Sequence, residues 1–266
     1  MFPQLGTVDF HFSSYRVFLI LAFFAGIFLA VRQGKYRNIT TNDILDGALW
    51  FMISALAGAH ILYMILTPSR FTTLREWFEP TGFVFFGGFI ATAVTMLAFA
   101  WIRNIGIRDG VDLIAPSLTC GHFFGRIGCF LGGCCYGKPT DSIFGVVFPE
   151  LHETIRRHPT QLYEATFLLG LTILFSWGIR QRSRWIFPGS IWGAYLLGYG
   201  AFRFLIEFIR GDERGGFFLP MHWSISQIIA VPIFVWGILW MVGCYRMRPD
   251  RPERHSDVSA FAGPSR

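Results

Sequence analysis

The chain has 266 residues, of which 53% are hydrophobic, 18% aromatic and only 15% charged, with a formal net charge of +6. A soluble domain carries about 25% charged residues, and thirty phenylalanines are more than one aqueous core hides. The composition therefore excludes a soluble globular enzyme and places the chain in a bilayer.

About 20 apolar residues cross a bilayer, and seven such runs are predicted, at about 15–33, 45–68, 82–102, 112–134, 161–179, 188–209 and 223–245. The first follows no basic n-region, so it reads as an uncleaved anchor rather than a signal peptide. Arg32, Lys35 and Arg37 come after it. The second run ends before Arg70 and Arg75, and the third before Arg103 and Arg108. The fourth is the least regular, because it carries Arg126 and many glycines. A long loop at about 136–160, with Lys138, Arg156 and Arg157, leads to the fifth run, which Arg180, Arg182 and Arg184 follow. The sixth precedes Arg210 and Arg214, and the seventh precedes a tail holding Arg246, Arg248, Arg251, Arg254 and Arg266. The basic residues thus concentrate in alternate loops, which puts the N-terminus outside and the C-terminus in the cytoplasm. That distribution makes the positive charge a topology signal and speaks against nucleic acid as a partner. Residues 1–245 form one integral-membrane domain, and 246–266 a basic, polar tail expected to be disordered.

Chemistry concentrates in "GHFFGRIGCFLGGCCYGKPT", residues 121–140. On a helix, Gly121, Gly125, Gly128 and Gly132 share one face, a spacing that lets a neighbouring helix approach closely in lipid. His122, Arg126 and Cys129 form the adjacent stripe. An arginine inside a span costs about 2.5–3.5 kcal/mol on insertion scales and faces a cavity or a partner. In "GYGAFRFLIEFIRGDE", Arg203, Glu207 and Arg210 fall at i, i+4 and i+7 on one face, which predicts an Arg203–Glu207 ion pair. Two arginines against one glutamate leave a net positive pocket suited to a phosphate. In "RHPTQLYEA", Pro159 suits a first helical turn, and Gln161, Tyr163 and Glu164 gather polar groups at the membrane boundary, with Gln161 and Glu164 close enough to share a site.

Cys129, Cys134 and Cys135 have the spacing C-x4-C-C, which matches no standard zinc or iron–sulfur pattern, and vicinal cysteines do not readily chelate one ion together. No metal and no cofactor is expected. A disulfide from Cys129 to Cys134 or Cys135 is open to a site facing an oxidising compartment, with small buried hydrophobes the default reading.

These three blocks together resemble the phosphatidylglycerol–prolipoprotein diacylglyceryl transferases. "DLIAPSLTCGHFFGRIGCFLGGCCYG" is similar to the family signature, closing at Gly137, and "RHPTQLYEA" and "GYGAFRFLIEFIR" match two further family blocks in order. The resemblance implies an all-α membrane protein of seven helices in the plasma (inner) membrane of a bacterium, with its active site toward the outer side. It implies transfer of diacylglycerol from phosphatidylglycerol to the lipobox cysteine of a prolipoprotein signal peptide, with release of glycerol phosphate. It makes Arg126, Arg203 and Glu207 catalytic and puts Arg126, Arg210, Gln161, Tyr163, Glu164, Tyr15, Gly87, Gly88 and Gly137 on the substrate. Four positions depart from the family: Phe86 stands where its histidine is expected, Cys129 for an asparagine, Cys134 for a glutamate and His60 for an arginine. His122, one turn before Arg126, is then the candidate for proton handling. A thiol of pKa about 8.5 costs only about 1.4 kcal/mol to ionise at pH 7.5, so loss of a base is expected to matter less than loss of either arginine. The alternatives are a membrane thiol redox protein using Cys129, Cys134 and Cys135, for which no cofactor ligand set is visible, and a small-molecule transporter, for which no inverted repeat is visible.

Overall fold

The computed structural model describes residues 4–7, 10–70, 77, 82–151, 154–181, 186–211, 217–218 and 223–248. Most of the tail, 249–266, lies outside the described residues. Among the described residues, seven α-helices carry the fold: α1 (Ser14–Gly34), α2 (Thr41–Leu66), α3 (Phe85–Ile102), α4 (Ile107–Leu131), α5 (Thr160–Arg180), α6 (Ser190–Ile206) and α7 (Ile225–Arg246). Five of them, α1, α2, α3, α5 and α7, are long and apolar enough to cross a membrane. The other two depart from the expected seven runs for separate reasons: α4 carries Arg108, Asp109, Asp112 and Arg126, and α6 has 17 residues.

The all-α expectation holds for the bundle. Three antiparallel ribbons decorate the bundle: β1 (Gln4–Thr7) with β2 (Phe10–Ser13), β3 (Val146–Val147) with β4 (Arg156–Arg157), and β5 (Phe217–Phe218) with β6 (Trp223–Ser224). Two-residue strands are too short to leave a periodic signature.

Helix ends follow local chemistry. Thr40 accepts a hydrogen bond from the Asp43 amide at 3.1 Å, so α2 begins before its apolar run does. Ser224 and Gln227 form a capping box at the start of α7. At α4 the chain leaves the helix through Gly132 and then Gly133, whose φ is +70°, a left-handed turn that glycine makes without strain. The last three residues of the sixth run, Glu207–Ile209, tighten into a 3-10 turn.

α4 is the central helix, packed along α1 on one side and α5 on another, while α6 pairs with α7 and α2 with α3. The α2–α3 contact is close because glycines face each other: a Cβ on Gly87 would collide with the Gly58 carbonyl oxygen, and one on Gly88 would sit 2.7 Å from that of Ala55. At the end of the bundle bearing Arg37, the buried carboxylate of Asp112 pairs with Arg37 at 3.1 Å and accepts from the amides of Gly189 at 2.8 Å and Trp192 at 2.9 Å. Leu113, Phe175, Ile179, Ile191 and Tyr195 form a buried cluster near it.

Candidate functional site

An apolar cavity of about 1200 Å³ separates the α2–α3 pair from α1 and α4. It runs from Ile39 and Asp43 at one end to Tyr15, His122, Arg126, Cys129, Cys134, Cys135 and Tyr199 at the other. The long axis is walled by Leu, Ile, Phe and Met side chains from four helices, with Ser117 of α4 among them, so charged groups meet it only at its ends.

Arg126 stands at the polar head. One amino group, Nη2, lies 2.9 Å from Glu164 Oε1 on α5, with the arginine side chain 19% exposed and the glutamate 1%. The Tyr199 hydroxyl donates to the same Glu164 oxygen at 3.3 Å, and its ring lies 5.6 Å from His122. Glu164, with the Tyr199 hydroxyl beside it, thus braces the guanidinium where Arg126 lines the cavity. A buried carboxylate of this kind needs both partners, because its desolvation is otherwise uncompensated.

A second centre lies one turn further along α6. Arg203 Nη1 reaches Glu207 Oε2 at 2.6 Å, the pairing expected from the i, i+4 spacing, and Nη2 donates to Ser226 Oγ on α7 at 2.6 Å. Arg210 Nε lies 3.9 Å from the same Glu207 oxygen. This triad is outside the cavity lining. Tyr199, four residues before Arg203 and within electrostatic reach of both Arg126 and Arg203, stands between the centres. Sequence reasoning missed Tyr199, although its place one helical turn before Arg203 was a usable signal. Counting charges, Arg126, Arg203 and Arg210 against Glu164 and Glu207 leave one net positive charge.

Other expected site residues take supporting places. Gln161 is buried and donates to the Cys134 carbonyl at 2.6 Å, while Thr160 donates to that of Cys135 at 2.7 Å; α5 thereby fixes the turn after α4. Gln161 and Glu164 share a helix but not a partner. Tyr163 hydrogen bonds with His158 at 3.2 Å. Gly137 sits where the loop crosses the end of α6, bridged to Arg210, and a Cβ there would meet the Ile209 carbonyl at 2.8 Å. Gly87 and Gly88 pack α3 on α2 and do not line the cavity. Tyr15 does line it. His60 bonds the carbonyls of Gly82 and Trp77 at 3.2 and 3.0 Å, tying down the α2–α3 connection. Phe86 is 55% exposed.

The glycine stripe of α4 divides. Gly121 and Gly128 face α1, with a Cβ on Gly128 3.0 Å from Phe18, whereas Gly125 has no neighbour at that range and opens onto the cavity. The cysteines differ more from expectation. No disulfide joins Cys129 to Cys134 or Cys135. The spacing objection to joint chelation does not survive folding either: Cys135 adopts a left-handed φ of +68°, the chain turns back, and the Sγ atoms of Cys129, Cys134 and Cys135 lie within 4.8 Å of one another.

The family model for prolipoprotein diacylglyceryl transferase matches residues 3–243. Among curated relatives, the chain is 32% identical to the phosphatidylglycerol–prolipoprotein diacylglyceryl transferase of Clostridium tetani, over 84% of this chain and 90% of that one. To the enzyme of the same name from Cupriavidus necator it is 30% identical, over 93% and 95%. To that of Chlorobaculum tepidum it is 33% identical, over 73% and 71%.

Proposed function

The chain belongs to the prolipoprotein diacylglyceryl transferase family, and from that premise we propose that it moves the diacylglyceryl group of phosphatidylglycerol onto the lipobox cysteine thiol of a prolipoprotein. The observation that carries this reading is the position of Arg126, a braced guanidinium at the polar head of a long apolar cavity. Acyl chains fit the apolar length, and the phosphate then meets the guanidinium of Arg126, whose planar fork matches phosphate oxygens. The acceptor sulfur attacks the glycerol carbon that carries the phosphate ester. As the new S–C bond forms, the C–O bond breaks and its electron pair leaves with glycerol phosphate. Negative charge grows on the departing oxygen, and pre-placed donors aimed at such charge contribute several kcal/mol. The Arg203–Glu207–Arg210 centre, linked through Tyr199, supplies the remaining positive field. His122, beside Tyr199 at the cavity, takes the proton-handling role that Phe86 cannot fill.

The finer membrane arrangement belongs to the same proposal. All seven helices span a bacterial inner membrane, the N-terminus and the 136–160 loop lie outside, and the site opens toward the outer face. The alternation of basic loops supports this, and α4 tolerates its charges because Asp112 and Arg126 are paired inside the protein. Two measurements test the reading. The gene is expressed in a strain depleted of its own transferase, and diacylglyceryl-modified lipoprotein is scored; absence of modified product from a normally inserted protein sinks the activity. Reporter fusions are expected to report 34–44, 103–111 and 180–187 as cytoplasmic and 136–160 as external. A cytoplasmic 136–160 reverses the sidedness of the site.

A further inference from the structure

The three sulfurs of Cys129, Cys134 and Cys135 lie within 4.8 Å of one another and all three line the polar head of the cavity beside Arg126. Four thiolates around a zinc-type ion at about 2.3 Å stand about 3.8 Å apart, so this triangle closes on an ion with small side-chain rotations. Its frame is built rather than incidental. The carbonyls of Cys134 and Cys135 are held by Gln161 and Thr160 of α5, the Cys134 amide bonds the Cys129 carbonyl at 3.1 Å, and the left-handed Cys135 turns the vicinal pair toward one space. Soft thiolates select zinc-type ions over hard cations. Three protein ligands leave a fourth position open, the arrangement of a reactive rather than a purely structural site.

We propose that Cys129, Cys134 and Cys135 bind a soft divalent ion of the zinc type whose open position takes the acceptor cysteine thiol. This rests on the transferase reading above. The incoming thiol loses its proton on ligation, taken up through His122 at the same cavity end, and the bound thiolate attacks the glycerol carbon while Arg126 holds the phosphate. Electrons and atoms balance as in the uncatalysed displacement: one S–C bond forms, one C–O bond breaks, and the pair leaves on glycerol phosphate with no oxidant or reductant. The arrangement lowers the demand on His122 as the proton acceptor by activating the nucleophile directly. A free thiol of pKa about 8.5 is about one-tenth ionised at pH 7.5, so the ion is expected to raise the rate about tenfold there and progressively less at higher pH.

The test uses the full-length protein, reduced and oxygen-free in detergent, titrated with cobalt(II) as a spectroscopic stand-in. A thiolate-to-cobalt charge-transfer band saturating at one ion per chain is expected, absent from the Cys134→Ser/Cys135→Ser double variant. A lipobox peptide with cysteine is expected to shift that spectrum, and its serine counterpart to leave it unchanged. With the zinc form, transfer is expected to vary little with pH, whereas the double variant loses about tenfold at pH 7.5 and recovers as pH rises. No band at one equivalent overturns the site, as does recovery of a disulfide from protein kept oxygen-free. A band indifferent to the cysteine peptide overturns the acceptor role. Full transfer by metal-free protein with a flat pH profile overturns the inference and leaves the transferase reading intact. A cobalt site perturbed by the peptide, without diacylglycerol transfer to any acceptor, supports the site and sinks the transferase reading instead.

Discussion

The two arginine centres are built differently. Arg126 is paired across helices, with a glutamate on α5 that is 1% exposed; Arg203 is paired within its own helix, with a glutamate 11% exposed that Arg210 also approaches at 3.9 Å. The first pair therefore fixes where α4 stands against α5 and has no replacement for either member. The second ion pair is local, with a neutral hydrogen bond to Ser226 reaching α7, and Arg210 also approaches Glu207. The contrast teaches that an arginine's role in chemistry and its role in assembly are separable at Arg203 and fused at Arg126.

The largest effect that sharpens this contrast is expected from Arg126→Ala. Transfer is lost, and a buried carboxylate without its ion pair costs about 3–5 kcal/mol, so the amount of inserted protein falls as well. Arg126→Ala combined with Glu164→Gln is expected to restore insertion without restoring transfer, read by membrane protein level alongside lipidation of a prolipoprotein. Near wild-type transfer by an inserted Arg126→Ala protein ends the phosphate-clamp account. Next comes Arg203→Ala, expected to lose transfer comparably while costing only about 1–3 kcal/mol of stability, because Arg210 remains beside Glu207; thermal unfolding in detergent of the two alanine variants measures the gap. If Arg203→Ala destabilises as much as Arg126→Ala, the distinction between local and interhelical pairing fails. Arg126→Lys is expected to insert normally and keep Glu164 paired, yet transfer about 100-fold more slowly, since a lysine cannot present a forked pair of donors. The smallest effect is expected from Tyr199→Phe, which removes one hydrogen bond to Glu164 worth about 0.5–1.5 kcal/mol and slows transfer by less than tenfold. A Tyr199→Phe protein as inactive as Arg126→Ala would move the hydroxyl into the chemistry itself.

What was legible in the sequence follows the range of each interaction. Arg203 and Glu207 were found as a pair because helical spacing alone brings them together. Glu164 was found as a polar boundary residue, but its partner was not, since nothing in "RHPTQLYEA" refers to a helix formed around residue 126. Gly87 and Gly88 were read toward the substrate, whereas the structure spends them on contact with Gly58 and Ala55; a glycine serves close backbone approach and ligand approach alike, and only the neighbour distinguishes the two. The cysteine triangle was hidden by the left-handed turn at Cys135, an unusual conformation for a residue other than glycine. Five of the expected runs came through as helices long and apolar enough to cross a membrane, because hydropathy is summed over twenty residues and forgives single departures. α6 and α4 show the limit, where length or embedded charge dilutes the sum.

Asp112 carries a consequence for the order in which the molecule is made. Its partners come from both directions along the chain: Arg37 precedes it, while the amides of Gly189 and Trp192 follow by 77 and 80 residues. Synthesis runs from the N-terminus, so Asp112 emerges with its cation already made and its backbone partners not yet translated. Arg37 is therefore available to Asp112 as a counter-ion before α6 exists, and the contacts from α6 can be added only afterwards, with the left-handed Gly189 admitting the close contact with Cys244 of α7.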